Sequence, residues 1–162
     1  MLGLGDDLLS IYLNDHLAGS TLGVELARRI AGSNASTVYG RVLDALADEI
    51  EEDRRTLEEI MARLSVGPDR AKLALAWSAE KAGRLKLNGQ LLGYSPLSRL
   101  EELEGLSLGV EGKLGLWQAL ADAYADDPRL RGVDFEELIK RARSQRRRLE
   151  RQRRRAALDA LR

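Results

Sequence analysis

Apolar residues recur at alternating intervals of four and three along the row Tyr39, Leu43, Leu46, Ile50, Leu57, Ile60 and Leu64, and Asp53 stands in the same row. That spacing predicts an amphipathic helix from about Thr37 to Leu64, about seven turns long, with one carboxylate in the middle of its apolar stripe. Three further stripes obey the same rule. Leu9, Leu13, His16, Ser20, Gly23, Ala27 and Ile30 mark a first helix from about Asp6 to Ala31. Leu100, Leu103, Ser107, Val110, Leu114, Trp117, Ala121 and Tyr124 mark another from Pro96 to about Tyr124. Phe135, Leu138, Ala142, Gln145 and Leu149 open a last one, which begins at Asp134 and turns polar beyond Leu149. Helices this long and one-sided must bury their seams against one another.

Breakers separate the stripes. Gly32-Ser33-Asn34 closes the first helix, with Ser33 or Ser36 able to cap the second. Gly67-Pro68 closes the second, with Pro68 suited to the first turn of a third helix. Ser95 reads as an N-cap with Pro96 at the first helical position. Asp126-Asp127-Pro128 ends that helix, and Asp134 with Glu137 forms a capping-box pattern for the last. Between them, Ala71, Leu75, Ser78, Ala82, Leu85, Gly89 and Leu92 make a helical stripe of small residues, although Asn88-Gly89 also suits a turn. A helix over Asp69 to about Leu87 would carry the chain back along the whole length of its neighbours. Leu2 and Leu4 are expected in a short tail across one end. The fold class expected is all-α, one domain over residues 1–162, with four long antiparallel helices, a helical crossover over about 68–95 and a basic C-terminal helix over about 134–161.

Composition narrows the function classes. The chain has no cysteine, which excludes a disulfide framework and thiolate chemistry. No uncharged apolar run approaches the ~18 residues that span a bilayer, and the first residues carry Asp6 and Asp7 without a basic stretch, so a cytoplasmic protein without a membrane segment is expected. Lys plus Arg and Asp plus Glu balance at 26 each, but unevenly. From Val133 onward there are 11 basic and 5 acidic residues, a net of +6, and the first 132 residues carry the opposing −6.

The order of two long-helix pairs joined by a long crossover resembles the ferritin-like superfamily. The stretches Leu13 to Gly19 and Gly93 to Leu97 look like those of uncharacterised bacterial bundle proteins. The resemblance implies a four-helix bundle. Diiron members need a Glu on each of two helices and a Glu-x-x-His on each of the other two. This chain has a single histidine, His16, and no Glu-x-x-His. The resemblance therefore implies the fold without the usual oxidase or iron-storage centre, and no cofactor is expected from it.

One polar constellation remains. If the first two helices form a hairpin turning near Asn34, His16 and Asp53 stand level, both interrupting apolar stripes, with Glu49 one turn away and Glu111 at similar height. The favoured reading is that His16 and Asp53 satisfy each other and fix helix register, Asp53 raising the imidazole pKa. The alternative is a divalent metal, such as iron or manganese, bound by His16, Asp53, Glu49 and Glu111. General acid–base catalysis ranks last, because no nucleophile or substrate loop accompanies the pair.

The run from Lys140 to Arg155 holds ten basic residues and one acid, Glu150, whereas the second helix holds eight acids between Asp44 and Glu59. Pairing of these two helices, within the chain or across a homo-oligomer, is the favoured reading. Contact with nucleic acid through Arg146, Arg147, Arg151 and Arg154 is the alternative. The end past Leu149 is expected to project as a partner surface. Gly105, Gly109, Gly112 and Gly115 suggest close approach of another helix, since each costs about 1 kcal/mol relative to Ala. Trp77, Trp117, Tyr12 and Tyr39 are expected in the core or an interface. The function expected is that of a non-enzymatic bundle acting by self-association or through a protein partner, with nucleic-acid or metal binding as alternatives.

Overall fold

A computed structural model describes residues 4–75, 78 and 93–162. Every regular element among them is helical. The first helix, α1, spans Leu4–Ser33 and so takes in Leu4, which was expected in a tail. The second, α2, spans Gly40–Arg63 and starts three residues later than the stripe implied. Its first turn is entered from Tyr39 with no side-chain cap, so neither Ser33 nor Ser36 caps it. A tight turn occupies the space instead, closed by Thr37 N–H to the Asn34 carbonyl at 2.9 Å and by the Thr37 hydroxyl to the same oxygen at 2.8 Å. Gly40 is required there: a Cβ would lie 2.6 Å from the Ala35 carbonyl oxygen.

Of the expected crossover, residues 70–75 and Ser78 are helical, and the start is capped by the Asp69 carboxylate accepting from Ala71 N–H at 2.9 Å, not led by Pro68. Residues 76–77 and 79–92, including Trp77 and the alternative turn at Asn88-Gly89, lie outside the described residues, as does Leu2. The third long helix, α3, spans Pro96–Tyr124, with Ser95 accepting from Ser98 N–H at 3.1 Å as the N-cap. A 3-10 turn at Pro128–Leu130 comes next. The last helix, α4, spans Phe135–Leu161, capped by Asp134 accepting from Glu137 N–H at 2.9 Å.

Pairings fix the directions. Arg29 meets Glu102 at 2.9 Å while Leu26 lies 3.6 Å from where a Cβ on Gly105 would stand, so α1 and α3 run antiparallel. Arg146 meets Glu111 at 2.7 Å and Arg153 meets Glu104 at 3.5 Å, which makes α3 and α4 antiparallel. α1 packs extensively on α2, and α3 on α4. Asn14 donates to the Gly67 carbonyl at 3.1 Å, whereas Asn34, at the other end of α1, donates to the Tyr94 hydroxyl at 2.9 Å. The chain therefore leaves α2 at one end of α1 and enters α3 at the other.

The apolar stripes face inward as their spacing requires. The core forms two clusters, one around Leu43, Leu46, Ile50, Leu103 and Val110, the other around Leu13, Leu17, Leu57, Leu114 and Trp117. Trp117 and Tyr39 are buried as expected, but Tyr12 is 37% exposed. α4 does not project past Leu149. Ala156 is fully buried in the first cluster and Tyr39 donates its hydroxyl hydrogen to Asp159, because alanines replace leucines there and let α4 lie close. No described helix is long and apolar enough to cross a membrane.

Candidate functional site

Asp53 lies on the buried face of α2, where its place in the stripe puts it, and is 1% exposed. A bare carboxylate in such a place would ionise only at great cost, so the surroundings must supply charge and donors. They do. Lys113 of α3 bridges to Asp53 Oδ2 and also donates to Gln145 Oε1. Gln145 of α4 donates through Nε2 to Asp53 Oδ2 at 2.9 Å and to Glu49 Oε2 at 3.3 Å. Arg141 pairs with Asp53 Oδ1 and reaches Glu52 at 3.0 Å, and Arg148 closes on Glu49. Burial pushes the Lys113 ammonium down from its ordinary pKa, with Asp53 pulling the other way. Burial also works against the Arg141 charge, but Asp53 and Glu52 together hold its pKa above the usual value.

The expected quartet is not assembled. His16 is half-buried on α1, edge-on to Tyr12 with ring centroids 4.6 Å apart, and makes no hydrogen bond to Asp53. Both residues line one cavity of ≈ 280 Å³ between α1, α2 and α3, so they are level as expected, but Asp53 spends its lone pairs on cations instead. The imidazole pKa accordingly moves down, through burial, with Asp15 only partly opposing, and not up. Glu49 joins the network through Gln145 and Arg148. Glu111 is exposed and paired with Arg146 on the outside of the molecule. Among the described residues no three His, Cys, Asp or Glu side chains form a group that could hold a metal ion. A dinuclear iron centre does not fit a carboxylate already enclosed by an ammonium, a guanidinium and an amide.

The basic helix divides by face. Arg141 and Arg148 turn to the acids of α2, and Arg146 and Arg153 to Glu111 and Glu104 of α3. Arg143, Arg147, Arg151 and Arg154 point outward, all exposed, with no salt bridge among the described residues. Of the four arginines singled out from the sequence, Arg146 is therefore committed internally, and Arg143 takes its place in the outward row. Arg155 leans over the Tyr39 ring, 5.5 Å from its centroid.

Among the described residues no helix closely approaches the glycines of α3, and most of the crossover expected beside them lies outside those residues. A Cβ on Gly109, Gly112 or Gly115 would meet nothing within 4 Å among the described residues, and one on Gly105 would meet only Leu26 at ordinary distance. Gly109 and Gly112 instead line the cavity, opposite Gly19 and Gly23 of α1. Trp117 lines it too; it is 1% exposed, and its indole N–H has no acceptor.

Lys113, Arg141 and Gln145 were not singled out by sequence reasoning. Gln145 carried a signal, as the one polar residue interrupting the buried stripe of α4. Lys113 and Arg141 each sit one position before a stripe residue, Leu114 and Ala142, and reach inward along their flexible stems. Comparison of the chain with protein families, curated proteins and solved structures finds no match.

Proposed function

We propose that this chain is a ferritin-like four-helix bundle that acts by binding and not by catalysis, and that its contact surface is the outer face of α4, fitted to the phosphates of a nucleic acid. The order of directions supports the fold: α1 antiparallel to α2 and α3, α4 antiparallel to α3, and the long connection between α2 and α3 joining opposite ends. The polar network supports a binding role, because the groups around Asp53 are occupied with one another and leave no acid or base poised for a reacting atom.

The observation that carries the reading is the row Arg143, Arg147, Arg151 and Arg154, exposed and without salt bridges among the described residues, on a helix whose other arginines are largely paired. Spacings of four, four and three place them on one face over about 16 Å. Successive guanidinium groups stand about 6, 6 and 4.5 Å apart along the helix axis, and their flexible stems let each reach a separate phosphate. The acidic α2 lies on the far side of α4, where Arg141 and Arg148 neutralise part of it. That internal pairing removes the reason to seek the complement of α4 in a second protein. Net charge is zero, so attraction comes from segregation of charge and not from its sum.

The test is a titration of duplex and single-stranded DNA and RNA at several salt concentrations. Binding through four phosphates gives a slope of about −3 to −4 in log K against log salt. Replacing Arg147 and Arg151 by Gln flattens the slope by about two, while thermal unfolding stays unchanged. Lack of any retardation at low salt overturns the proposal. Concentration-dependent dimerisation abolished by Leu8→Glu and Ile11→Glu would return the reading to self-association, since both residues are apolar and exposed on α1.

A further inference from the structure

Beyond Leu149 the last helix is held by different means from the rest of the bundle. Up to that residue α4 buries Leu138, Ala142, Gln145 and Leu149; over the turns that follow it buries Ala156, with Ala157 and Ala160 partly covered. An alanine brings a single methyl to a core where a leucine brings a branched chain, so apolar attachment is weak there. Leu158 and Leu161 face outward, 53% and 70% exposed, and add little.

What remains is polar, and it converges on Asp159. Tyr39, 2% exposed at the entry to α2, donates its hydroxyl hydrogen to Asp159 Oδ2. Burial pushes the Tyr39 pKa up and the bond to Asp159 adds to the rise, so the phenol keeps the proton it donates. Arg99 of α3 stacks on the same ring, 4.5 Å from its centroid, and brings Nη1 to 3.8 Å from Asp159 Oδ2. Its Nε donates to Oδ1 of Asn34 at the end of α1. Asn34 is fully buried and donates in turn to the Ile30 carbonyl at 2.8 Å and to the Tyr94 hydroxyl at 2.9 Å. Asn34, Tyr39 and Arg99 therefore hold one another without help from α4. Among the described residues Asp159 is the side chain that ties α4 to them by a hydrogen bond, and it stays half-exposed, so that tie opens without unpacking the core.

The same stretch carries half of the outward arginine row. Arg147, Arg151 and Arg154 follow one another at four and three residues, a spacing at which like charges repel along a helix. Undocked, a segment of three turns has no tertiary support and frays. We propose that residues 151–161 of α4 dock and undock as a unit, fastened by Asp159 to Tyr39 and Arg99, and that docking completes the arginine row. The second half rests on the nucleic-acid reading and makes the two events reciprocal: phosphates remove the repulsion and hold the segment down, and a docked segment presents four arginines instead of two.

Native-state amide exchange of the full chain tests this. Amides of residues 152–159 are expected to exchange at least about ten times faster than those of 142–149, with little dependence on denaturant, the mark of a local opening that exposes little surface. Asp159→Ala raises that opening at least about tenfold, or about 1.4 kcal/mol. Tyr39→Phe, which keeps the ring under Arg99, raises it in the same segment. The double variant falls well short of the product of the two effects, because both substitutions remove the same bond. Saturating duplex DNA slows exchange of the segment in the parent at least about tenfold. The fastening is overturned if residues 152–159 share the rate and denaturant dependence of 142–149, if Asp159→Ala leaves their exchange unchanged, or if the two effects multiply in the double variant. DNA that binds without slowing this exchange overturns the coupling. DNA that does not bind at all overturns the nucleic-acid reading and the coupling with it, while exchange of the free chain still decides the fastening.

Discussion

At the scale of single residues, the molecule turns on Asp53. One carboxylate is shared by an ammonium from α3, a guanidinium from α4 and an amide from α4, so it joins three helices at one point. Removing it does more than delete a contact, because Lys113 and Arg141 are left facing each other with their common counter-ion gone. Asp53→Ala is expected to cost about 3–5 kcal/mol of unfolding free energy, the usual consequence of breaking a buried ion pair from one side. Asp53→Asn keeps the shape and one acceptor and should cost less. The check is chemical denaturation of the three proteins at neutral pH; an Asp53→Ala variant within about 0.5 kcal/mol of the parent, as at an ordinary surface site, would show that the network is not coupled in solution. The stripe from Tyr39 to Leu64 made Asp53 legible, since any polar residue in such a row must find partners. It did not make the partners legible. His16 interrupts its own stripe at the same height, yet its ring faces a cavity that three helices leave open. Of the true partners, Gln145 stands in the stripe of α4, and Lys113 and Arg141 come from positions beside the stripes, where only the length of Lys and Arg side chains makes inward reach possible.

At the scale of elements, the two kinds of glycine separate backbone need from open space. Gly40 sits where the turn after α1 folds back under α2, with the Ala35 and Asn34 carbonyl oxygens 2.6 and 2.8 Å from where a Cβ would stand. Gly112 occupies the exposed side of α3 with nothing within 4 Å among the described residues. Gly40→Ala is expected to destabilise by about 1–3 kcal/mol, because the Asn34 carbonyl is held by Thr37 and the Ala35 carbonyl belongs to the same tight turn. Gly112→Ala is expected to stabilise by about 0.5–1 kcal/mol, through helix propensity and a less flexible unfolded chain. Opposite signs in paired thermal melts are the expected result; destabilisation by both would mean that Gly112 also meets a close neighbour. The elements themselves were largely legible. Ser95-Pro96 and Asp134 with Glu137 started α3 and α4 where their chemistry says they should, since capping is local and written in adjacent residues. The start of α2 was not legible, because it is set by a turn built from backbone carbonyls, which the Ser33 and Ser36 side chains do not report. The polar look of α4 beyond Leu149 misled for a related reason. Alanine buries little surface but allows close approach, and Ala156 is as buried as any leucine.

At the scale of the whole molecule, the polar layer divides the core. Ile50, Val110 and Leu149 belong to one apolar cluster, Leu57, Leu114 and Ala142 to the other, and Asp53, Lys113 and Gln145 stand between them at the level of the cavity. Such a layer adds little stability, because desolvating an acid and a lysine offsets most of their attraction. It does specify register. Sliding α3 or α4 by one turn would bring Val110, Trp117, Ala142 or Leu149 to Asp53 and strand the charge, so the pairing of Asp53 with Lys113 and Gln145 fixes one alignment of α2, α3 and α4. Replacing the layer whole, Asp53→Leu with Lys113→Met and Gln145→Leu, should therefore leave stability unchanged or raise it by about 1–4 kcal/mol, in contrast to the loss expected for Asp53→Ala alone. Arg141 keeps Glu52 at 3.0 Å in this variant and is not abandoned. The cost should appear as lost uniqueness: broadened amide resonances, or a mixture of monomer and associated forms, where the parent gives one sharp set. A triple variant as unstable as Asp53→Ala would show that the layer stabilises the fold directly. One that is stable, sharply resolved and unassociated would show that the two apolar clusters align the helices unaided.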